Sequence, residues 1–195
     1  MASIATNQHS EPEIIAGCQR GDRKFQELLY HALSQRMYGV CMRYATDLPN
    51  AEDLLQEGFI KVYKNIDKYR GDGSFEGWVR RIFVNTCIEQ FRKKAQMHVV
   101  GDTQLIHYEY FDDNALGKLM KDDVLKMIQD LSPGYRTIFN LYVIEGYSHK
   151  EIGTQLNISE GTSKSQLARA RYLLQTKVRE LMPNIHFDSK EEKQN

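Results

Sequence analysis

Apolar side chains return every three or four positions along most of this 195-residue chain, as one face of an α-helix requires. Phe25, Leu29, Leu33, Met37 and Val40 illustrate the spacing. No segment combines sustained apolar and polar alternation with flanking hairpin turns, which would indicate a strand. The pattern therefore predicts an all-α fold, in which each apolar face is buried against other helices.

Two regions with this spacing are separated by a stretch that lacks it. We predict two small helical domains joined by a flexible linker, with a first domain over residues 11–97, the linker over 98–118, a second domain over 119–182 and a polar tail over 183–195. Within the first domain, Gly21 and Asp22 should interrupt the helix. Asn50 should cap the next helix, after the turn Asp47-Leu48-Pro49.

The chain is neutral overall but locally polarised. It has 26 basic and 26 acidic residues, with bases dominating from Trp78 to Lys94 and acids from His98 to Gly117. Because nucleic-acid binding depends on where charges lie rather than on their sum, neutrality does not exclude it.

The three cysteines, Cys18, Cys41 and Cys87, lie far apart within apolar helical patterns. They predict buried, reduced thiols rather than a disulfide framework or a pair of metal ligands. No signal peptide and no apolar run of membrane-spanning length is recognisable, so we expect a cytoplasmic protein without membrane insertion. No pattern indicates a metal or another cofactor.

Near the C-terminus, two helices joined by a three-residue turn predict a helix-turn-helix. Ser148 and Glu151 form a capping box, and Asn157-Ile158-Ser159 makes the turn before the second helix. That helix would enter the major groove, and its first turns would meet base edges or phosphates. The candidate contacts are Glu160, Gly161, Thr162, Ser163, Lys164, Gln166, Arg169 and Arg171. The alternative interpretation is a helical pair with a solvated basic face.

In the first domain, a basic helix follows a glycine loop flanked by aromatic residues. Aromatic rings beside cations suit unstacked single-stranded DNA. Tyr69 and Asn85 are the candidates for reading bases, whereas Phe75 and Trp78 have the spacing of core residues. The helix supplies bases that could neutralise phosphates, namely Arg80, Arg81, Arg92 and Lys93.

The preceding helix carries acidic residues that a DNA backbone would repel. Asp53 and Glu57, together with Glu52 and Gln56, lie on one side of it and favour a protein partner. The alternative is an ordinary acidic helix N-terminus and a solvated face.

From Ile14 to Leu181 these segments resemble the two domains of extracytoplasmic-function (ECF) sigma factors, the minimal members of the main bacterial sigma family. Residues 50–59 resemble the segment that docks on the clamp-helix coiled coil of the largest polymerase subunit. The resemblance implies core-polymerase contacts at Asp53, Gln56, Glu57 and Phe59. Residues 75–86 are similar to the minus-ten segment, which implies roles in minus-ten recognition for Tyr69 and Asn85.

Residues 148–153 and 161–171 resemble the family's reader of the minus-thirty-five element. Ser163 stands where the pattern usually has valine, and Gln166 where arginine is common. The resemblance implies a factor that binds core RNA polymerase and directs promoter-specific initiation. Core RNA polymerase, promoter DNA and an anti-sigma factor are the implied partners.

Two other classes of function account for parts of the sequence. A stand-alone helix-turn-helix regulator with a sensing or dimerising first domain would explain the second domain equally well. It would not explain acids followed by a basic, aromatic-flanked helix. A helical enzyme has little support, since the sequence contains neither an HExxH motif nor a phosphate-binding loop.

Overall fold

Helices form all the regular structure that the computed structural model describes, which comprises Ile4, residues 9–97 and residues 121–181. The all-α prediction is confirmed. The predicted linker and polar tail lie outside the described residues. Residues 119, 120 and 182, at the two ends of the predicted second domain, also lie outside them. The chain divides into two compact units whose boundary falls between Gln90 and Phe91, inside a helix.

The first unit is built from four helices. They are α1 (Glu11–Gln19), α2 (Arg23–Tyr44), α3 (Leu48–Asn65), which is followed by a 3₁₀ turn (Ile66–Lys68), and α4 (Phe75–Met97). The predicted interruption after α1 is present, and Gly21 adopts a φ of 74° there. A positive φ is accessible to glycine without the steric cost that a side chain would add.

Helix α3 begins earlier than the sequence suggested. Asp47 is the N-cap, and its carboxylate accepts a hydrogen bond of 2.8 Å from the backbone N–H of Asn50. The prediction of Asn50 as the cap is therefore wrong. Pro49 fits inside the first turn because the N–H that it lacks would have no helical partner there. The Asn50 side chain accepts instead from the N–H of Thr46, at 3.2 Å.

The core of the first unit depends on close packing between α3 and α4. The Phe59 ring meets the Phe83 ring edge-on, with 5.3 Å between their centroids. Gly58 faces the same ring, and a Cβ at this position would lie 2.3 Å from a Phe83 ring carbon. The Phe83 ring can therefore lie against the backbone of α3 only because residue 58 has no side chain.

All three cysteines are buried and free, as predicted. Burial raises the pKa of the Cys18 thiol to about 11, with a smaller contribution from the nearby charge of Asp22. The thiol form is therefore the stable one near neutral pH, since burial disfavours the thiolate.

The second unit contains α5 (Lys121–Gln129), α6 (Pro133–Phe139), a π-helical turn (Asn140–Ile144), α7 (His149–Leu156) and α8 (Glu160–Leu181). Ser132 before Pro133 predicts a helix cap, and the turn at Asn157 predicts a helix end at Leu156; both predictions are confirmed. Arg136 is buried and donates to the carbonyl oxygens of Leu131, at 2.9 Å, and of Gln129. These bonds satisfy carbonyls at the C-terminal end of α5 that have no helical partner.

The apolar periodicity of the second unit predicts core positions for Val143 and Leu181, but both side chains are exposed. Val143 is 36% exposed, because the π-helical turn changes the angular spacing of the side chains that follow α6. Leu181 is 59% exposed and lies nearly one turn beyond Val178, the last buried residue of α8.

We predict that Gly58→Ala destabilises the first unit by about 1–3 kcal/mol, because the added methyl would overlap the Phe83 ring. Urea unfolding followed by Trp78 fluorescence measures this free energy of unfolding. The matched control is Gly39→Ala in the interior of α2, where an added Cβ meets nothing within 4 Å. Because alanine has a higher helix propensity than glycine, this substitution should leave stability unchanged or raise it by up to about 1 kcal/mol. Equal effects of the two substitutions would contradict the packing argument.

Candidate nucleic-acid interface

An open cleft of about 340 Å³ lies against α3 and α4 in the first unit. Its lining combines three cations, two amides, an indole ring and one carboxylate: Lys61, Lys68, Arg81, Asn65, Asn85, Trp78 and Glu89, together with Ile82 and Thr86. This composition offers ring stacking, hydrogen bonding and phosphate neutralisation at one place.

The α4 side of the cleft is a single stripe along the helix. Trp78, Arg81, Ile82, Asn85 and Glu89 follow one another at steps of three or four residues, apart from the adjacent pair in the middle. A neighbouring stripe of the same helix is buried in the core and includes Phe75, Val79 and Phe83. Burial of the second stripe therefore turns the first towards the cleft.

Of the two residues predicted to recognise bases, Asn85 lines the cleft and Tyr69 does not. Asn85 is half-buried and lines the cleft. Tyr69 is not among the lining residues. Its hydroxyl donates to the Gly73 carbonyl at 2.8 Å, and its ring packs edge-on against Phe75, with 5.0 Å between centroids. Tyr69 thus holds the glycine loop that precedes α4.

Trp78 is a functional candidate that sequence reasoning assigned to the core. Phe75 is fully buried, as predicted, but Trp78 is half-buried and lines the cleft. Its position three residues before Arg81 and seven before Asn85 places all three on one helical face. That spacing was the signal in the sequence that could have identified it.

The other predicted phosphate-binding residues lie outside the cleft lining. Arg80 is half-buried, whereas Arg92 and Lys93 are exposed further along α4. Of the four predicted bases, Arg81 is the one that the structure brings next to Asn85.

Lys61 joins the two helices at the rim of the cleft. Its ammonium lies 2.9 Å from a Glu57 carboxylate oxygen, one turn earlier on α3, and 2.7 Å from one of Glu89 on α4. Partial burial lowers the pKa of Lys61, but the hydrogen bonds to Glu89 and Glu57 outweigh this effect and the net shift is upward. Lys61 is therefore fully charged at neutral pH.

The outer face of α3 carries the predicted polymerase contacts. Asp53 and Gln56 are exposed, and Glu57 is half-buried. Phe59 is only 3% exposed, with its ring against those of Phe83 and Tyr30, so it supports the helix from inside and has no surface to offer a partner. This corrects the expectation of a direct contact at Phe59.

Ile60 is a surface candidate that the sequence did not reveal. It is 52% exposed and lies seven residues after Asp53 and four after Gln56, on the same stripe of α3. An exposed isoleucine next to polar side chains is common on monomers, so only its place on this stripe makes it informative.

In the second unit, helices α7 and α8 form the predicted helix-turn-helix. Ser148 and Glu151 form the capping box, with the Ser148 N–H donating to the Glu151 carboxylate at 2.8 Å. Hydrogen bonds from the Ser148 hydroxyl and N–H lower the pKa of Glu151. Asn157 adopts a φ of 57°, and the Ser159 hydroxyl caps α8 by accepting from the Thr162 N–H at 2.9 Å.

The start of α8 exposes most of the predicted DNA contacts. Glu160, Gly161 and Lys164 are exposed, and Thr162, Gln166 and Arg169 are half-buried. Lys164 forms an ion pair with Glu160 at 2.7 Å, which lowers the pKa of Glu160. Arg171 is half-buried and its guanidinium lies over the Tyr142 ring, 5.8 Å from the centroid.

Ser163 does not belong to the exposed surface. It is fully buried, and its hydroxyl lies 2.9 Å from Nδ1 of His149, the first residue of α7. The His149 ring in turn stacks on Tyr142, with 4.4 Å between centroids. Ser163 therefore links the two helices of the motif, which corrects the prediction of a direct DNA contact at this residue.

Among residues 9–97 and 121–181, no helix combines the length and apolarity needed to cross a bilayer. In the same ranges, no group of three or more His, Cys, Asp or Glu side chains is arranged to hold a metal ion.

A basic, amide-lined cleft in one helical unit and a helix-turn-helix in the other define a two-domain DNA-binding protein. Family comparison agrees with this class. Residues 29–96 match the model of sigma-70 region 2, and residues 121–174 match that of sigma-70 region 4.

Curated relatives match along nearly their whole length. The chain is 28% identical over 187 residues to the RNA polymerase sigma-H factor of Pseudomonas aeruginosa, covering 90% of this chain and 97% of that factor. It is 28% identical over 189 residues to the ECF RNA polymerase sigma-E factor of Haemophilus influenzae, covering 90% and 98%.

Solved structures that match include CnrH in complex with the cytosolic domain of CnrY, at 19% identity and a TM-score of 0.45, covering 86% of this chain and 96% of that one. Another is the sigma factor RpoE with the anti-sigma factor NepR from Bartonella quintana, at 22% identity and a TM-score of 0.48, covering 82% and 98%.

The chain belongs to the sigma-70 family of RNA polymerase sigma factors, as a member of the ECF type. It is thus an initiation factor that acts with core RNA polymerase on promoter DNA, rather than a stand-alone regulator.

We predict that His149 titrates below its ordinary pKa of about 6.5. Burial lowers this pKa most, and the charges of Lys164 and Arg171 add to the effect while Glu160 opposes it. Because the folded pKa is depressed, the neutral ring stabilises the second unit above pH of about 6.5, and this contribution is lost as the pH falls through the folded value.

NMR titration of the His149 ring in the full chain measures its pKa, and amide exchange in α8 follows stability. The control is Lys164→Met, which should raise the His149 pKa by removing a nearby positive charge. An ordinary or raised pKa for His149 in the unmodified protein would contradict this assignment.

Proposed function

We propose that the two units divide promoter recognition between opened and intact DNA. The cleft beside α4 would hold unstacked bases of the minus-ten element, and α8 would read the minus-thirty-five duplex. The observation that carries the proposal is the convergence of Asn85, Arg81 and Trp78 on one cleft. These are an amide, a cation and an aromatic ring at the same site.

Within the cleft, Trp78 would stack on an extruded base while the Asn85 amide bonds its edge. Stacking on an aromatic side chain contributes about 1–3 kcal/mol per base, and extruding a base costs a few kcal/mol. Capture of one or two bases, with phosphate neutralisation by Arg81 and Lys68, is therefore of the right size to offset local opening. Tyr69 would act indirectly, by fixing the loop before α4.

On α8, the exposed first turns would meet the major groove. Gln166 can bond a base edge through its amide, Thr162 can accept or donate nearby, and the Glu160 carboxylate can accept. Gly161 permits close approach of the backbone, and Lys164 and Arg169 would contact phosphates. Arg171, over the Tyr142 ring, would help hold the motif together, with any phosphate contact secondary to that role.

The outer face of α3 would bind core RNA polymerase. Asp53, Gln56 and Glu57 supply polar and acidic groups, and Ile60 adds apolar area along the same stripe. An acidic surface of this kind favours a basic protein partner over DNA. Phe59 and Phe83 would keep α3 rigid beneath it.

Several further parts of the proposal follow from the family. The functional domains would span residues 11–97 and 119–182, with the acidic segment 98–118 connecting them. The factor would act in the cytoplasm, make and break no covalent bond itself, and need no cofactor. An anti-sigma factor would hold it inactive, and the Bartonella quintana sigma factor was solved in complex with a protein of that kind.

We predict that Asn85→Ala lowers run-off transcription from a cognate promoter about tenfold, since loss of a base contact removes roughly 1.4 kcal/mol. Cognate promoters would first be selected from a randomised library with the wild-type holoenzyme. Binding to core polymerase, followed by native gel shift, should be unchanged. Gln35→Ala, an exposed amide on α2, is the control. Wild-type output from the Asn85 variant would reject the proposed role of the cleft.

We predict that Asp53→Lys weakens association with core polymerase by about 2 kcal/mol, or roughly thirtyfold, because it places a cation where a basic partner docks. Fluorescence anisotropy of labelled protein titrated with core enzyme measures the affinity. Glu27→Lys makes the same charge change on an exposed residue of α2 and should bind normally. Equal weakening by the two variants would show that net charge, and not this surface, is responsible.

A further inference from the structure

Lys61 is shared by the two surfaces that the proposed function separates. Its ammonium contacts Glu57, a proposed polymerase contact on α3, at 2.9 Å. It also contacts Glu89 on α4 at 2.7 Å, and both Lys61 and Glu89 line the cleft with Asn85. A single side chain therefore connects the proposed polymerase surface to the proposed DNA site.

We propose that Lys61 couples the binding of core polymerase to the binding of opened DNA. In the free protein, Glu57 and Glu89 together hold the ammonium. When a basic group of the polymerase engages Glu57, Lys61 keeps only Glu89 and can turn to a DNA phosphate. The inference rests on the proposed function, because it takes α3 as the polymerase surface and the cleft as the DNA site.

The charges of the cleft make this coupling effective. Lys61, Lys68 and Arg81 are its cations, and Glu89 is its carboxylate. Glu57 contacts Lys61 and adds a second negative charge. The three cations and two carboxylates together therefore have an excess of a single positive charge. Engagement of Glu57 elsewhere doubles that excess, and DNA affinity depends directly on the number of cations available to phosphates.

The environment of Lys61 strengthens the effect. The side chain is only 27% exposed, so solvent screens its interactions less than those of a surface lysine. Burial lowers its pKa, but the hydrogen bonds to Glu89 and Glu57 outweigh this effect, so Lys61 is charged in the free protein. Coupling between two sites is reciprocal, so bound DNA must also strengthen binding of the polymerase.

The test uses the full chain without polymerase and a fluorescein-labelled single-stranded DNA pool of random sequence, about twelve nucleotides long. Glu57→Gln imitates engagement of Glu57 by a partner. It should tighten DNA binding about two- to fivefold, the size expected for release of a partly exposed ion pair. The dependence of affinity on salt should steepen by about 0.7 in the logarithmic slope, as one more phosphate contact requires.

Two further variants identify the cause. Glu27→Gln removes the same charge from an exposed position on α2 and should change neither the affinity nor the salt slope. Combining Glu57→Gln with Lys61→Met should abolish both gains. The inference is overturned if Glu57→Gln matches Glu27→Gln, or if the gain persists in the double variant. A purely structural role for Lys61 would not change the salt slope.

Arg81→Ala separates failure of this inference from failure of the proposed function. If DNA binding depends on Arg81 but does not respond to Glu57→Gln, the cleft binds DNA and the coupling is rejected. If binding does not depend on Arg81 either, the cleft is not the DNA site. In that case the proposed function and the inference fail together.

Discussion

The Phe83 ring of α4 packs against the backbone of α3 at Gly58, and these two helices supply most of the cleft lining. Because residue 58 has no side chain, the ring fits directly against the backbone, and Phe59 closes the contact from the side. One or two turns further along, the same approach brings Lys61 and Asn65 of α3 opposite Asn85 and Glu89 of α4. The cleft is thus a consequence of a tightly packed apolar contact beneath it. The chemistry at its rim, including the two ion pairs of Lys61, depends on that contact holding its geometry.

In the second unit, a buried polar contact joins the two helices of the helix-turn-helix. Ser163 occupies a fully buried position where the ECF pattern usually has valine, and a buried hydroxyl without a partner would be costly. His149 supplies the partner at 2.9 Å and is itself stacked on Tyr142. The departure from the family pattern at residue 163 is therefore compensated within the motif. It bears on how the two helices are joined rather than on which bases α8 meets.

The differences between sequence reasoning and structure concern one helix end and the side of a helix that is buried. Helix caps compete locally, and Asp47 prevails over Asn50 because Pro49 can occupy the first turn. Phe59 and Ser163 lie within segments that resemble contact surfaces, yet both side chains point inward. Trp78 has the spacing of a core residue on α4, yet it is half-buried and lies on the stripe that lines the cleft. For Phe59, Ser163 and Trp78 the sequence specifies the helix correctly, but the side of the helix that is buried depends on its neighbours.

Local physics was enough to establish the helices, most of their ends, the left-handed turn at Asn157 and the division into two helical regions. Periodicity, caps and turn residues act within a few positions along the chain. The family motifs added the class of function, because they too are written in contiguous residues. The pairing of Lys61 with Glu89, the meeting of Trp78 with Asn85 in one cleft, and the burial of Phe59 and Ser163 join residues that are far apart or select one face of a helix. Such facts arise only when helices pack, since burial and charge pairing are properties of neighbours in space.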